Sequence, residues 1–489
     1  MSVNKAQGEA RMTERKEKAL RVIDEKRELL CTVSEEIWDH PEVLFHEEYA
    51  SDILSKTLED EGFQVTRELA GIKTAFSGRF GAGKPVIGFL GEFDALPGMS
   101  QQAGIFEKKP VEAGQPGHGC GHNLLGVGSL GAALAVKRYL TENKLPGTVI
   151  YFGCPAEEGG SGKGFMARAH VFDDVDVAFT WHPGEVNSVA TENTMANYQI
   201  SYRFHGTSAH AAMEPERGRS ALDALELMNT GVQYLREHVP SSTRIHYAIT
   251  DAGGRAPGIV QDHAEALYLM RALTLSDVRE LYRRINLIAE GAAMMTETKV
   301  EIEFIKACSN IIINSELNQV MQRNLEEIPS VIFDEEDLEY ARKIQQTTGA
   351  AKTYFDSLYA ECEDPEKRKV FEADMHAPIH AVPLPLARER QGFVSSDVGD
   401  VSWNCPVSQI NGATTPAGTA IHSWQMVSVG KSPMAQKGML YAAKVMAGSA
   451  IDAFEDPAII QRAKAELDRR KGGRSFVSPI PEGINPHVQ

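Results

Sequence analysis

The chain has no apolar run approaching the roughly 18 residues that a membrane-spanning helix needs. Its first residues, Met1-Ser2-Val3-Asn4-Lys5, lead into charged sequence with no apolar segment between. A secretory signal is therefore not expected, and cytoplasmic residence is. Cysteine is scarce, with six residues (31, 120, 154, 308, 362 and 405) among 489. They form no paired framework, and a chain this long does not need one, so free thiols are predicted. Positive charge is also short: 50 Lys and Arg face 67 Asp and Glu, for a net charge of −17. That balance argues against a nucleic-acid partner and against anionic membrane surfaces. Internal repeats and low-complexity blocks are missing as well.

What is present reads as a globular protein too long for one core, with two or three domains expected at about 150 residues each. Residues 12–39 carry apolar positions near helical spacing, and His40-Pro41 ends that helix. A second helix is expected over 46–61. Pro85–Gly91, Thr148–Phe152 and Val175–Phe179 read as short buried strands, and an Ala/Leu-rich helix is expected at 121–143. Buried strands alternating with helices predict an α/β domain with a mostly parallel, helix-covered sheet. From Ala196 to Phe204 the pattern switches to period 2. A helix at 219–238, strand-like 244–249 and 264–271, a helix at 275–295 and a strand at 299–306 follow. This predicts a smaller α+β insertion at 195–308, with 1–194 and 309–489 forming the sheet domain. Residues 333–375 are charged and helical, expected as a solvated excursion, and the tail after 472 is expected on the surface.

Residue types that bind metals recur at predicted loops after the strands, where ligands of open α/β sheets bind. Cys120 and His122 stand two apart in the glycine-rich Gly117–Asn123. Glu157-Glu158 follows a buried strand and precedes Gly159-Gly160. His182 lies in Trp181-His182-Pro183, and His422 in Gly418–Ser423. Each has a structural reading by itself: a small buried thiol, a hydrogen-bonded imidazole, an exposed turn. Together they make one thiolate, three imidazoles and a carboxylate, a set that suits zinc or manganese better than magnesium or calcium. Five ligands are too many for one catalytic zinc with an open position but fit two ions sharing a bridge. Adjacent carboxylates point different ways, so one of the pair can ligate while the other faces a bound water. Asp94, in Gly91–Pro97, is placed to orient a ligand histidine. His118 is expected to be structural.

These pieces, with Ser208-Ala209-His210-Ala211-Ala212, resemble the dinuclear metallopeptidase family of aminoacylases, carboxypeptidase-G-type enzymes and plant auxin-conjugate amidohydrolases. They run in family order across nearly the whole chain. The resemblance implies that Cys120, His122, Glu158, His182 and His422 hold two divalent ions, Mn or Zn, with Glu157 as general base. It implies that the insertion is a lid that makes a homodimer, and that His210 reaches from it, toward the partner's site, to the tetrahedral oxyanion. The implied reaction is hydrolysis of the amide of an N-acyl or N-aroyl amino acid, p-aminobenzoyl-glutamate being one example. Another amide, such as an aryl-amino-acid conjugate or dipeptide, is the near alternative. A non-catalytic metal-binding subunit with a heteromeric partner, or a one-metal protein, is the distant one. The chain departs from the family at Gly258, where an asparagine that grips substrate is usual, at Ala420 in place of proline, and at Asn123 in place of aspartate.

Overall fold

The computed structural model describes residues 12–349 and 353–487. The expectation for Met1–Lys5 and residues 350–352 of the charged excursion lie outside them. The described residues hold fourteen strands: β1 (Gln64–Arg67), β2 (Phe76–Ala82), β3 (Val86–Glu92), β4 (Gly147–Cys154), β5 (Val177–Gly184), β6 (Val186–Val189), β7 (Glu192–Asn193), β8 (Ala196–His205), β9 (Arg244–Asp251), β10 (His263–Ala272), β11 (Lys299–Cys308), β12 (His380–Pro383), β13 (Arg390–Gln391) and β14 (Val407–Ala413). Eight of them form the central sheet in the order β1-β2-β4-β3-β5-β14-β6-β12. From β4 through β3 and β5 to β14 the strands run parallel. The β1–β2 edge is antiparallel. Every residue of β3 and β4 is buried, which is why their sequences are continuous apolar runs rather than alternating ones.

The helix His122–Asn143 explains its own composition. It is apolar nearly all round and buried along most of its length, packed between the sheet and the helix Pro433–Glu455. Its first turn is set by Gly121, whose φ of 77° favours glycine. The N-terminal region is two helices, Glu14–Glu25 and Arg27–Asp39, which meet at Lys26 instead of running on as one.

Strands β8–β11 form a separate four-stranded antiparallel sheet, ordered β11-β8-β10-β9, covered on one face by the helices Ala221–Leu235 and Leu275–Thr296. Along β10 burial alternates residue by residue, the signature of a sheet covered on one side. Ser220 and Thr274 start the two helices by accepting from the amides of Asp223 and Asp277. The molecule thus has a central, mostly parallel sheet and a distinct antiparallel one. No helix among the described residues is long and apolar enough to cross a membrane, and all six cysteines are free.

The structure corrects two further expectations. Residues 333–375 are not simply a solvated excursion. The helices Glu335–Thr348, Tyr354–Glu361 and Pro365–Asp374 present most of their charges outward, though Asp337 and Asp374 are buried, while Ala341 and Ile344 join the main core and Phe355, Leu358 and Phe371 close a small one with Val186 and Leu384. The tail after 472 is mostly exposed, but Ile480 is buried in the second core, and Arg168 donates to the carbonyls of Pro481 and Ile484.

Candidate metal centre

The carboxyl ends of β3, β4 and β5 converge with two loops. His182 lies inside β5, near its end, rather than after the strand. The ligand atoms of Cys120, His122 and His182 all lie within 4.8 Å of one another, and so do those of Cys120, Glu158 and His422. The thiol is common to both groups. Its Sγ stands 3.4 Å from His182 Nε2, and His422 Nε2 is 3.2 Å from Glu158 Oε1.

Each donor is aimed by a partner. Asp94 Oδ1 accepts from His122 Nδ1 at 2.8 Å, and its Oδ2 accepts the Glu158 amide at 2.9 Å. One carboxylate therefore sets both an imidazole and the backbone of the neighbouring carboxylate. His182 Nδ1 donates to the Pro183 carbonyl at 2.8 Å, leaving Nε2 for the cluster. His422 adopts a left-handed φ of 61°, held by its amide donating to the Gly119 carbonyl at 2.8 Å. Ala156 and Ser161, which flank the Glu157-Glu158 loop, are left-handed as well. Such strain persists only where the surroundings enforce it, as at functional sites.

The chemistry of the donors fits a cation. His122 Nε2 is buried without a hydrogen bond, although Glu92 Oε2 stands 3.3 Å away. Burial pushes the Cys120 thiol up, so a thiolate there needs positive charge beside it. Burial, with the Glu92 and Asp397 carboxylates, pushes Glu157 up to about 8. Against burial, the hydrogen bond from His422 and the nearby imidazoles hold Glu158 down at about 2. The two adjacent carboxylates thus stand in opposite electrostatic settings. Glu157 itself falls in a third group, with Glu92 and His122.

The sequence profile of peptidase family M20/M25/M40 matches residues 88–355. Over 472 residues the chain is 44% identical to a p-aminobenzoyl-glutamate hydrolase subunit of Escherichia coli (strain K12), covering 95% of this chain and 97% of that one. It belongs to this peptidase family. Xaa-Arg dipeptidase of Mus musculus is 31% identical over 300 residues, 59% of this chain and 65% of that one. Among solved structures, the aminobenzoyl-glutamate utilization protein from Klebsiella pneumoniae shares the fold with a TM-score of 0.59 at 16% identity, covering 89% of this chain and 98% of that one. The Bacillus subtilis YXEP protein, a dinuclear metal binding peptidase of the M20 family, gives 0.54 at 15% identity, covering 88% and 99%.

This M20 hydrolase surrounds its candidate metal centre with residues that do not stand out in its sequence. Glu92 ends β3, where a lone carboxylate after an apolar strand was the only signal. Its Oε1 lies 2.8 Å from the Lys163 ammonium, which also stands 2.5 Å from Asp397 Oδ1. All three side chains are buried, and losing one partner would strand a charge. From the antiparallel sheet, Lys306 donates to the Glu158 carbonyl at 2.9 Å. Arg271 on β10 donates to Ser395 Oγ at 2.6 Å.

Other residues stay apart from the cluster. His118 bonds the Ile37 carbonyl at 3.0 Å, and burial pushes it down to about 3. Asn123 is buried against the Gly430 carbonyl and Ser34. His210 is exposed on the antiparallel-sheet side, its Nδ1 accepting the amides of Ala212 and Met213, and it does not line the cavity at the cluster. Gly258 lies beside it, its carbonyl accepting from Ala211, with open space where a side chain would stand.

Proposed function

We propose that this M20 hydrolase cleaves the amide bond of an N-acyl or N-aroyl amino acid resembling p-aminobenzoyl-glutamate. Cys120, His122 and His182 would hold one divalent ion, Mn or Zn, and Cys120, Glu158 and His422 a second. The observation that carries this reading is the pair of ligand groups sharing one sulfur, with Glu157 grouped with His122 of the first and adjoining Glu158 of the second along the chain. When bound, such ions polarise a carbonyl and acidify a water. Glu157 accepts the proton of the attacking water and delivers it to the leaving nitrogen. Asp94 keeps His122 and the Glu158 backbone in register. Arg271 and Lys306, neither with an ion-pair partner among the described residues, are the cations available to the substrate's carboxylate.

We take residues 195–308 as a lid and 1–194 with 309–489 as the catalytic part. The chain works as a homodimer in the cytoplasm, with a heteromeric partner subunit the second reading, since its relative is one subunit of a hydrolase. The dimer is supported by the exposed β9 edge, with Tyr247 and Ile249 bare on it. In that dimer His210 serves the other copy's site, where it stabilises the oxyanion.

The test is turnover. Purified protein loaded with Mn²⁺ or Zn²⁺ should release amine from a panel of N-acyl and N-aroyl amino acids. Binding of two ions with no turnover of any member would sink the assignment. The trans role of His210 has its own check. Glu157→Gln and His210→Ala chains, each inactive, should recover about a quarter of wild-type activity when mixed equally, because half of randomly paired dimers carry one intact site. No recovery in mixed dimers would place His210 in its own chain's site or in none.

A further inference from the structure

The ligand cluster lines a cavity of about 710 Å³ whose described lining residues all lie outside 195–308, well inside the range of about 300–1,000 Å³ typical of small-molecule sites. Its roof comes from the charged stretch that the sequence presents as an excursion: Thr353 and Tyr354 line it. The roof is pinned to the metal loop by one side chain. Glu185, three residues beyond His182, accepts the Phe355 amide with Oε1 at 2.9 Å and the Gly418 amide with Oε2 at 2.8 Å. The roof helix and the loop carrying His422 are therefore held by the same carboxylate.

The chemistry of the lining is one-sided. No Lys or Arg lines the chamber among the described residues. Glu185 has both oxygens taken by backbone amides. Glu192, also in the lining, is paired with Arg390, which pairs with Glu361 at 2.6 Å as well and lies over the Tyr354 ring at 5.4 Å. Away from the ligand imidazoles, an entering anion would meet the carboxylates of Glu185 and Glu192 and, among the described residues, no Lys or Arg. An entering cation would find both of these carboxylates already engaged. The remaining walls are Val186, Ile311, Ile313, Val398 and Val407, with neutral donors and acceptors from Asn318, Ser408 and Gln409. Ser408 is already turned inward, donating to Asn318 at 2.7 Å.

We propose that this chamber seats the uncharged, bulky acyl half of the substrate, an aromatic ring against Tyr354, while the amino-acid carboxylate stays on the lid side. The assignment rests on the amidohydrolase reading and adds to it which half of the substrate goes where, and that the deep half carries no charge. Tyr354 is then a determinant of acyl specificity, and the charged stretch contributes Thr353 and Tyr354 to the roof of the chamber.

Two measurements separate this proposal from the reading beneath it. The first needs no turnover: equilibrium binding of benzamide, 4-carboxybenzamide and 4-amidinobenzamide to the metal-loaded protein. Benzamide is expected to bind at least about tenfold more tightly than either charged analogue, given that each carries a charge the chamber leaves unpaired. Tyr354→Ala should erase most of that advantage, and Gln409→Lys should raise affinity for the 4-carboxy compound relative to benzamide. The second is kcat/KM for N-benzoyl, N-4-carboxybenzoyl and N-acetyl derivatives of one amino acid. The benzoyl compound is expected to lead, with the benzoyl-to-acetyl ratio falling about tenfold in Tyr354→Ala through KM. Absence of turnover with selective benzamide binding would overturn the amidohydrolase reading and keep the chamber. Equal or tighter binding of either charged analogue, or a ratio untouched by Tyr354→Ala in protein of native melting behaviour, would overturn the chamber.

Discussion

Replacing Glu157 by Gln is expected to lower kcat by about 10³-fold, within the range of about 10²–10⁴ that a positioned general acid–base supplies, while both ions still bind. That loss corresponds to about 4 kcal/mol of barrier. The substitution keeps the size and hydrogen-bonding reach of the side chain and removes only its ability to take a proton. Glu157 belongs to neither group built on the shared thiol, so ion stoichiometry, read by elemental analysis of the same sample, should stay at wild-type level. Burial and the carboxylates of Glu92 and Asp397 push it up to about 8 without cations, which favours holding the proton for delivery, and two bound cations would pull it back toward the carboxylate that the first step needs. A mutant with unchanged kcat would transfer the base role elsewhere, and one that loses its ions would make Glu157 a ligand.

Cys120→Ala is expected to remove both ions, whereas His422→Ala should remove one. The sulfur is the donor that appears in both groups, while His422 appears in one. Apparent affinity for both ions should fall by more than about 100-fold in the cysteine variant, since loss of even an outlying partner of a ligand costs about 10–100-fold. Calorimetric titration of the metal-free proteins with Mn²⁺ reads this directly. Melting gives a second readout: ions that bind only the folded chain raise its stability by mass action, so added Mn²⁺ should lift the wild-type melting temperature and leave Cys120→Ala unmoved. Retention of one tightly held ion in the cysteine variant would mean that the two positions do not depend on a common sulfur.

The parallel sheet was legible because β3, β4 and β5 are buried on both faces and so spell out apolar runs. The metal-ligand types were legible because glycine-rich turns isolate them in the sequence. Other features had no local signal. Strand β2, Phe-Ser-Gly-Arg-Phe-Gly-Ala, and strand β14, Val-Ser-Gln-Ile-Asn-Gly-Ala, mix polar and small residues and take their order from neighbours. The 333–375 stretch looked like solvated surface because its charges outnumber the five apolar residues it buries, Ala341, Ile344, Phe355, Leu358 and Phe371. The partners of the site were hidden for a different reason. Lys163 reaches Glu92 and Asp397 across 71 and 234 residues of chain, and a single sequence carries no trace of a pairing at that separation.

Lys306 gives the molecule a mechanical link between its two sheets. Its ammonium belongs to the antiparallel sheet and grips the backbone of a residue that, on our reading, coordinates an ion. Swinging that sheet outward must either break this grip or tug the coordinating loop with it. Were the smaller sheet to move, ion occupancy and its posture would be coupled quantities, each biasing the other by an equal free energy. A closed posture would tighten the hold on the metals, and filled metal positions would draw the molecule shut.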